Sequence, residues 1–258
     1  EFGKQQVNTI LFTTEEPPIK LIPRMVSNYT STDYGLFIDR QDINNAMAAG
    51  QQVAEVSVVP QVLWQNPGIY PQLQQLHTIL NSYLYFVDWS QGQGYSIEAH
   101  FDLELEKVER LGWCPQVILF DWIGGGLAQI KDQDKLRHSY QTAVDHIVNY
   151  CKRTNRAAVV FAQLDKVKAH NGVKAARMNM LSENKTMTNN VANFIGISAI
   201  RHEDKVGEGK PLLQTRQYLN ADKARYGCGG LVAVDQHFKF QRFTTAANAR
   251  LIGEERKA

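Results

Sequence analysis

The sequence predicts an α/β fold: a mostly parallel sheet covered by helices on both faces, with a hairpin at one edge. Three observations point there. Short apolar runs recur at NTILF (8–12), QVILFD (116–121), AAVVFA (157–162), NFIGISAI (193–200) and GLVAVD (230–235), the continuous hydrophobic character of strands buried on both faces. Between several of them lie stretches with helical periodicity, which join parallel strands by crossovers. The chain has 258 residues, 43% of them apolar, enough for a substantial core in one large domain or two small ones.

The first run leads into FTTEEPPIKLIPRMVS (12–27), with the adjacent carboxylates Glu15 and Glu16 where the strand should end. Ligands bind at the carboxyl ends of strands in open α/β sheets, so an acid there is a candidate for chemistry. The plainer reading is an acid complementing the dipole of the helix that follows. From 28 to 95 the pattern is weak, rich in Asn, Gln, Tyr and Gly, and reads as helices and loops inserted between the first two core strands. Phe101, Leu105, Val108 and Leu111 then fall at helical spacing over 97–111. A longer helix over 132–154 sets Tyr140, Val144, Ile147, Val148 and Cys151 on one face, with Asp145, Lys152 and Arg153 on others. It ends in cations, as a helix C-terminus prefers. GLVAVDQHFKFQRF alternates around a turn placed at Asp235–His237 and reads as an edge hairpin. The core is expected over 1–243, and the polar tail 244–258 is peripheral.

Bulk properties exclude several classes. A net charge of +2 is too mild to argue for nucleic acid, so such a reading must rest on local clusters. Cys114, Cys151 and Cys228 are widely spaced with no CxxC pair, which argues against a zinc site or a disulfide scaffold and for a reducing, cytoplasmic setting. No apolar run approaches the roughly 18 residues of a membrane span, and Glu1 opens no signal peptide, so no membrane partner is expected.

Four stretches could carry chemistry. QVILFDWIGGG is a hydrophobic strand ending in Asp121, followed by Trp122 and three glycines. A carboxylate fixed at a buried strand tip can hold the magnesium ion of a nucleoside triphosphate, although an Asp there can equally cap a turn. AAVVFAQLDK ends in Gln163, able to bond a γ-phosphate or a water, or simply turn backbone. Beyond it Lys166, Lys168, Lys174, Arg177 and Lys185 face only two acids between 165 and 185. A basic loop at the ligand end of a sheet suits the backbone of single-stranded nucleic acid; the alternative is a solvated loop. In LNADKARYGCGG, Lys223 and Arg225 precede a Gly-rich turn, either as cations offered to a neighbouring subunit's phosphates or as a surface turn.

The order of these pieces resembles the RecA-like motor domain of DnaB-type replicative hexameric helicases. The family's Phe-Ser-Leu-Glu signature, with a Leu, an Arg and a Ser following at fixed intervals, is matched without a gap by Phe12, Glu15, Leu21, Arg24 and Ser27. Its Asp-Tyr-Leu strand end is matched by Asp121, Trp122 and Ile123, and its Ser-Gln-Leu-Asn-Arg pattern by Ala162 to Lys166. Its Lys-Gln-Arg-Asn-Gly pattern is matched by Lys223 to Gly227, and Arg201 matches an Arg after the penultimate strand. The resemblance implies ATP and Mg2+ as cofactors, with Glu15 as general base or water-positioning acid and Asp121 on the metal. It further implies Gln163 as γ-phosphate sensor, Arg201 at the nucleotide, and Lys223 and Arg225 acting in trans. The implied assembly is a homo-oligomeric, hexameric ring on single-stranded DNA in a bacterial, phage or organelle replication setting, with a primase or helicase loader as further partners.

Two departures stand out. The family's acidic run before the penultimate strand reads TNNVAN here, and no GxxxxGK(S/T) phosphate-binding loop occurs. Gly3-Lys4 is followed by Gln5 and Gln6 and then a strand, which is not that motif. The chain is therefore expected to start about one βα unit late, or to come from a lineage that lost the loop. The alternatives are a catalytically inactive DNA-binding or assembly subunit, and a recombinase or clock-type ATPase on the same core.

Overall fold

A computed structural model of the chain describes residues 5–34, 61–89, 96–121, 123–124, 132–163, 176–181, 189–199, 214–225, 229–237 and 242–245. Its first sheet holds four parallel strands, β1 (Thr9–Thr13), β2 (Leu84–Asp88), β3 (Val117–Asp121) and β4 (Ala157–Val160), in the order β2-β1-β3-β4. Their sequences, TILFT, LYFVD, VILFD and AAVV, are rich in the β-branched and aromatic residues that suit a pleated, buried surface.

Five helices accompany them: α1 (Pro18–Thr30), α2 (Gln61–Trp64), α3 (Tyr70–Tyr83), α4 (Ile97–Arg110) and α5 (Gln133–Thr154). Alternation sends Ile10, Phe12, Ile118 and Phe120 to one face, where they meet Phe101, Leu105 and Val108 of α4 and Tyr140, Val144 and Ile147 of α5. Phe12 is the hub, its ring 5.2 Å from Phe120 and 5.5 Å from Phe101. Each such fully buried ring contributes roughly 1.5–3 kcal/mol relative to exposure. α1, α2 and α3 build a second cluster around Val26, Leu63, Leu73 and Leu76, and α1 and α3 contact β2. Leu11, Thr13 and Val117, which point away from the first cluster, are buried too, so both faces of the parallel sheet are helix-flanked as the sequence predicts.

The helix ends follow from local chemistry. The Asp132 carboxylate accepts from the backbone N–H of Asp134 and Lys135, and the Ser96 hydroxyl from that of Ala99, closing α5 and α4 at their N-termini. Asn155 takes the left-handed conformation (φ 54°) that ends α5. Across the α4–α5 interface, Arg156 pairs with Glu109 at 2.5 Å and His146 with Asp102 at 2.7 Å.

Three expectations are corrected. The stretch 28–95, read as helices and loops, contributes β2, whose register pairs Leu84–Asp88 with Thr9–Thr13; its flanks lack turn residues, so the strand hides in the run from helix to strand. β5 (Asn193–Ala199) and β7 (Gly230–His237) do not extend the parallel sheet. They pair antiparallel on either side of an unexpected strand, β6 (Gln214–Ala224), in a second sheet of order β5-β6-β7-β8. Finally, Asp235 and His237 lie within β7, paired with Thr244 and Arg242 of β8 (Arg242–Thr245), so the hairpin is real but its turn comes after His237.

Candidate functional site

Thr13 of β1 stands in register with both Asp88 of β2 and Asp121 of β3. Three adjacent strands therefore end on one row, with Asp88 and Asp121 on either side of β1. At a strand spacing of about 4.8 Å the two Asp backbones are roughly 10 Å apart. The backbone is pinned at this row: Thr14 donates to the Asp121 carbonyl from its N–H (2.8 Å) and from its hydroxyl (3.2 Å), and the Trp89 N–H donates to the Thr13 carbonyl (2.7 Å). These bonds fix where the chain leaves the sheet and so where Glu15 and Glu16 begin.

Capping does not explain the two acids. α1 starts only at Pro18, has no acid in its first turn and no side-chain cap. Glu16 instead turns to Arg24 on the same helix, whose guanidinium meets both its oxygens at 3.0 and 3.3 Å. Burial pulls the Arg24 pKa down, but hydrogen bonds to Tyr34 and Glu16 outweigh it and leave it raised. Glu16 is thus partly neutralised, and Glu15 is the exposed carboxylate of the pair.

Asp121 is half-buried. Its carboxyl is pushed above the usual range, first by desolvation and then by the negative charges of Glu15 and Glu16, with Arg24 opposing in part. Both causes favour the neutral form of an acid. A surplus of oxygen-donor negative charge that a protein keeps at neutral pH fits a hard divalent cation. Among the described residues no group of three or more His, Cys, Asp or Glu could hold a metal unaided. The fit is therefore to a cation that brings phosphate oxygens as its other ligands. The Asp121 end suits Mg2+ on a nucleotide, whereas the described residues present no cradle for the phosphates themselves.

Gln163 lies at the same end of the sheet. The Phe161 N–H donates to the Phe120 carbonyl at 2.9 Å and the Ile123 N–H to the Phe161 carbonyl at 3.2 Å, which ties the segment carrying Gln163 to the loop after Asp121. Lys223 and Arg225 belong to the other sheet. Lys223 pairs with Phe194 and donates from Nζ to the Asn189 carbonyl at 3.1 Å. Arg225 sits just past β6, its backbone N–H bonding Ala192 and Asn193 while its side chain is exposed. The two cations thus differ in setting, since only Lys223 is within the strand. Arg177 is exposed at the start of a short 3-10 turn (Met178–Met180). Lys166, Lys168, Lys174, Lys185 and Arg201 lie outside the described residues.

Two members of the site were missed by sequence reasoning. Asp88 has the same signal as Asp121, an apolar strand of five ending in Asp, but sits in the stretch read as irregular. Tyr34 carries no signal, because it reaches Arg24 only once α1 has formed.

No protein-family profile matches the sequence, and no curated protein matches it. Solved structures do. The chain superposes on one helicase-type ATPase domain with TM-score 0.65 and 12% identity, over 95% of this chain and 76% of that one. On a structure described as that of a DnaB-like replicative helicase and its interactions with primase, the TM-score is 0.66 at 13% identity, over 95% of this chain and 53% of that one. The chain has the fold of a DnaB-type helicase motor domain and spans about half the length of that helicase chain.

Proposed function

We propose that this chain, built on the fold of a DnaB-type motor, is the core of an ATP-dependent replicative DNA helicase that translocates on single-stranded DNA as a ring, with residues 1–243 as the core. The observation that carries the reading is the convergence of Glu15 and Asp121 at the ends of adjacent strands, with Gln163 one strand further along. Mg2+ bound with the nucleotide would neutralise charge developing on the phosphates. Asp121 would hold that ion, its burial and acidic neighbours giving it a standing demand for positive charge. Glu15, exposed while Glu16 is occupied by Arg24, would orient and deprotonate the attacking water.

Gln163 would contact the γ-phosphate and pass its presence to the basic stretch holding Lys166, Lys168, Lys174, Arg177 and Lys185, which would contact the DNA backbone. Arg201 would lie at the nucleotide, and Lys223 and Arg225 would serve the site of the adjacent subunit. A hexamer, with a primase or loader as partner, is the assembly this reading implies.

The test is Glu15→Gln in the intact protein, read as DNA-stimulated ATP hydrolysis beside ring assembly and DNA binding. Hydrolysis should fall by roughly 100-fold or more while assembly and DNA binding persist. Unchanged hydrolysis would remove Glu15 from its role. One observation favours a second reading, a non-hydrolysing DNA-binding subunit: the sequence contains no GxxxxGK(S/T) loop. That reading predicts DNA binding that is indifferent to ATP.

A further inference from the structure

Exposed large apolar side chains collect at two strands. Val159 and Phe161, in and just beyond β4, are 41% and 44% exposed, and Ile195 and Ile197 of β5 are 62% and 47% exposed. Side chains at the equivalent places of β1 and β3, such as Leu11 and Val117, are buried. Both exposed strands end their sheets: among the described residues β4 pairs only with β3, and β5 only with β6.

The backbone of β4 is half used. The Ala157 N–H donates to the Gln116 carbonyl at 3.1 Å and the Phe161 N–H to the Phe120 carbonyl at 2.9 Å, so the odd-numbered residues spend their polar groups on β3. The twofold period of a strand turns the N–H and C=O of Ala158 and Val160 to the open side. Natural edge strands protect such a row with Lys, Pro, an inward charge or a bulge. AAVVF (157–161) has none of these, and its composition is that of an interior strand in a parallel sheet.

The two open edges are neighbours. Asn190, three residues before β5, donates to the Asp145 carboxylate of α5 at 2.6 Å, and α5 packs against β4. Val191 lies against the core cluster that Ala158 and Val160 also join. β5 therefore sets off beside β4 without laddering to it.

We infer that β4 and β5 flank one vacant strand position. In the working protein it is filled by a single strand parallel to β4, with a helix covering Val159 and Phe161, both supplied by polypeptide outside residues 1–258. A second copy of this chain fits less well. Two β4 edges meeting about a twofold axis would run antiparallel and leave Ile195 and Ile197 uncovered. The matched ATPase domain is itself covered to only 76%, so a polypeptide of this fold has room for such a unit. The inference rests on the sheet and not on nucleotide hydrolysis.

The experiment is hydrogen exchange on the intact protein and on the 1–258 polypeptide, read at Ala158 and Val160, with the mass of each species in solution measured alongside. Exchange at both amides should be roughly 100-fold or more slower in the intact protein. Equal rates in the two samples overturn the inference, as does protection that arises in 1–258 on dimerisation. A second variant covers the case in which 1–258 does not fold alone. Val160→Pro removes an N–H that an edge strand does not use and an interior strand does. It should lower the thermal midpoint of the intact protein, and an unchanged midpoint refutes the interior position.

Discussion

Replacing Asp121 by Asn should make the protein more stable while removing its metal-binding carboxylate. Asp121 is half-buried and feels two negative neighbours, Glu15 and Glu16, against one positive, Arg24. Asn has nearly the same shape, and the bonds that pin this row go to the Asp121 backbone carbonyl, which the substitution leaves in place. The group is partly exposed, so each charge pair is screened and worth about 0.2–1 kcal/mol. One unbalanced repulsion plus a partial desolvation cost comes to roughly 1 kcal/mol, or about 2–4 °C in thermal midpoint for a chain of this size.

The pH dependence follows from the direction of the shift. Because the folded-state pKa is raised, folding favours the protonated acid. The destabilisation is complete above that raised pKa and disappears below the unfolded value near 3.9. The Asn variant should therefore gain stability at neutral pH and lose its advantage towards about pH 3.5. The assay is thermal or urea unfolding of both proteins across that range. A variant less stable at neutral pH, or one whose gain does not change with pH, would refute the electrostatic account of this site. An acid kept at a cost to stability is what a functional site predicts.

Two further substitutions test the scaffold. A Cβ on Gly196 would lie 2.1 Å from the backbone carbonyl oxygen of Ala176, so Gly196→Ala should cost about 1–3 kcal/mol and show as a lower urea midpoint. Asp132→Ala removes the acceptor for two N–H groups at the start of α5 and should cost about 1 kcal/mol, whereas Asp132→Ser should restore most of it.

Much of the first sheet was legible because its strands are short apolar runs bounded by helices whose periodicity is strong. Helices read at 97–111 and 132–154 are found at Ile97–Arg110 and Gln133–Thr154. β2 was not legible, since LYFVD follows α3 without a break and most of its residues are only partly buried at the sheet edge. β6 was missed for a related reason: QTRQYLNADKA is polar, and pairing with β5 and β7 rather than apolar content makes it a strand.

At the site, the order of Glu15, Asp121 and Gln163 along the chain, each after an apolar run, was determined by the sequence alone. Their meeting was not. It depends on register, in which Thr13 falls opposite both Asp88 and Asp121, and register is set by backbone ladders between segments far apart in the chain. The division of labour between the two glutamates was likewise decided only in three dimensions. Adjacent in sequence and identical in chemistry, they part because helix α1 brings Arg24 back to Glu16 and leaves Glu15 at the mouth of the sheet. Local pattern can encode which groups stand at strand ends, but which of them share charge is a matter of distance, and distance exists only once the chain has packed.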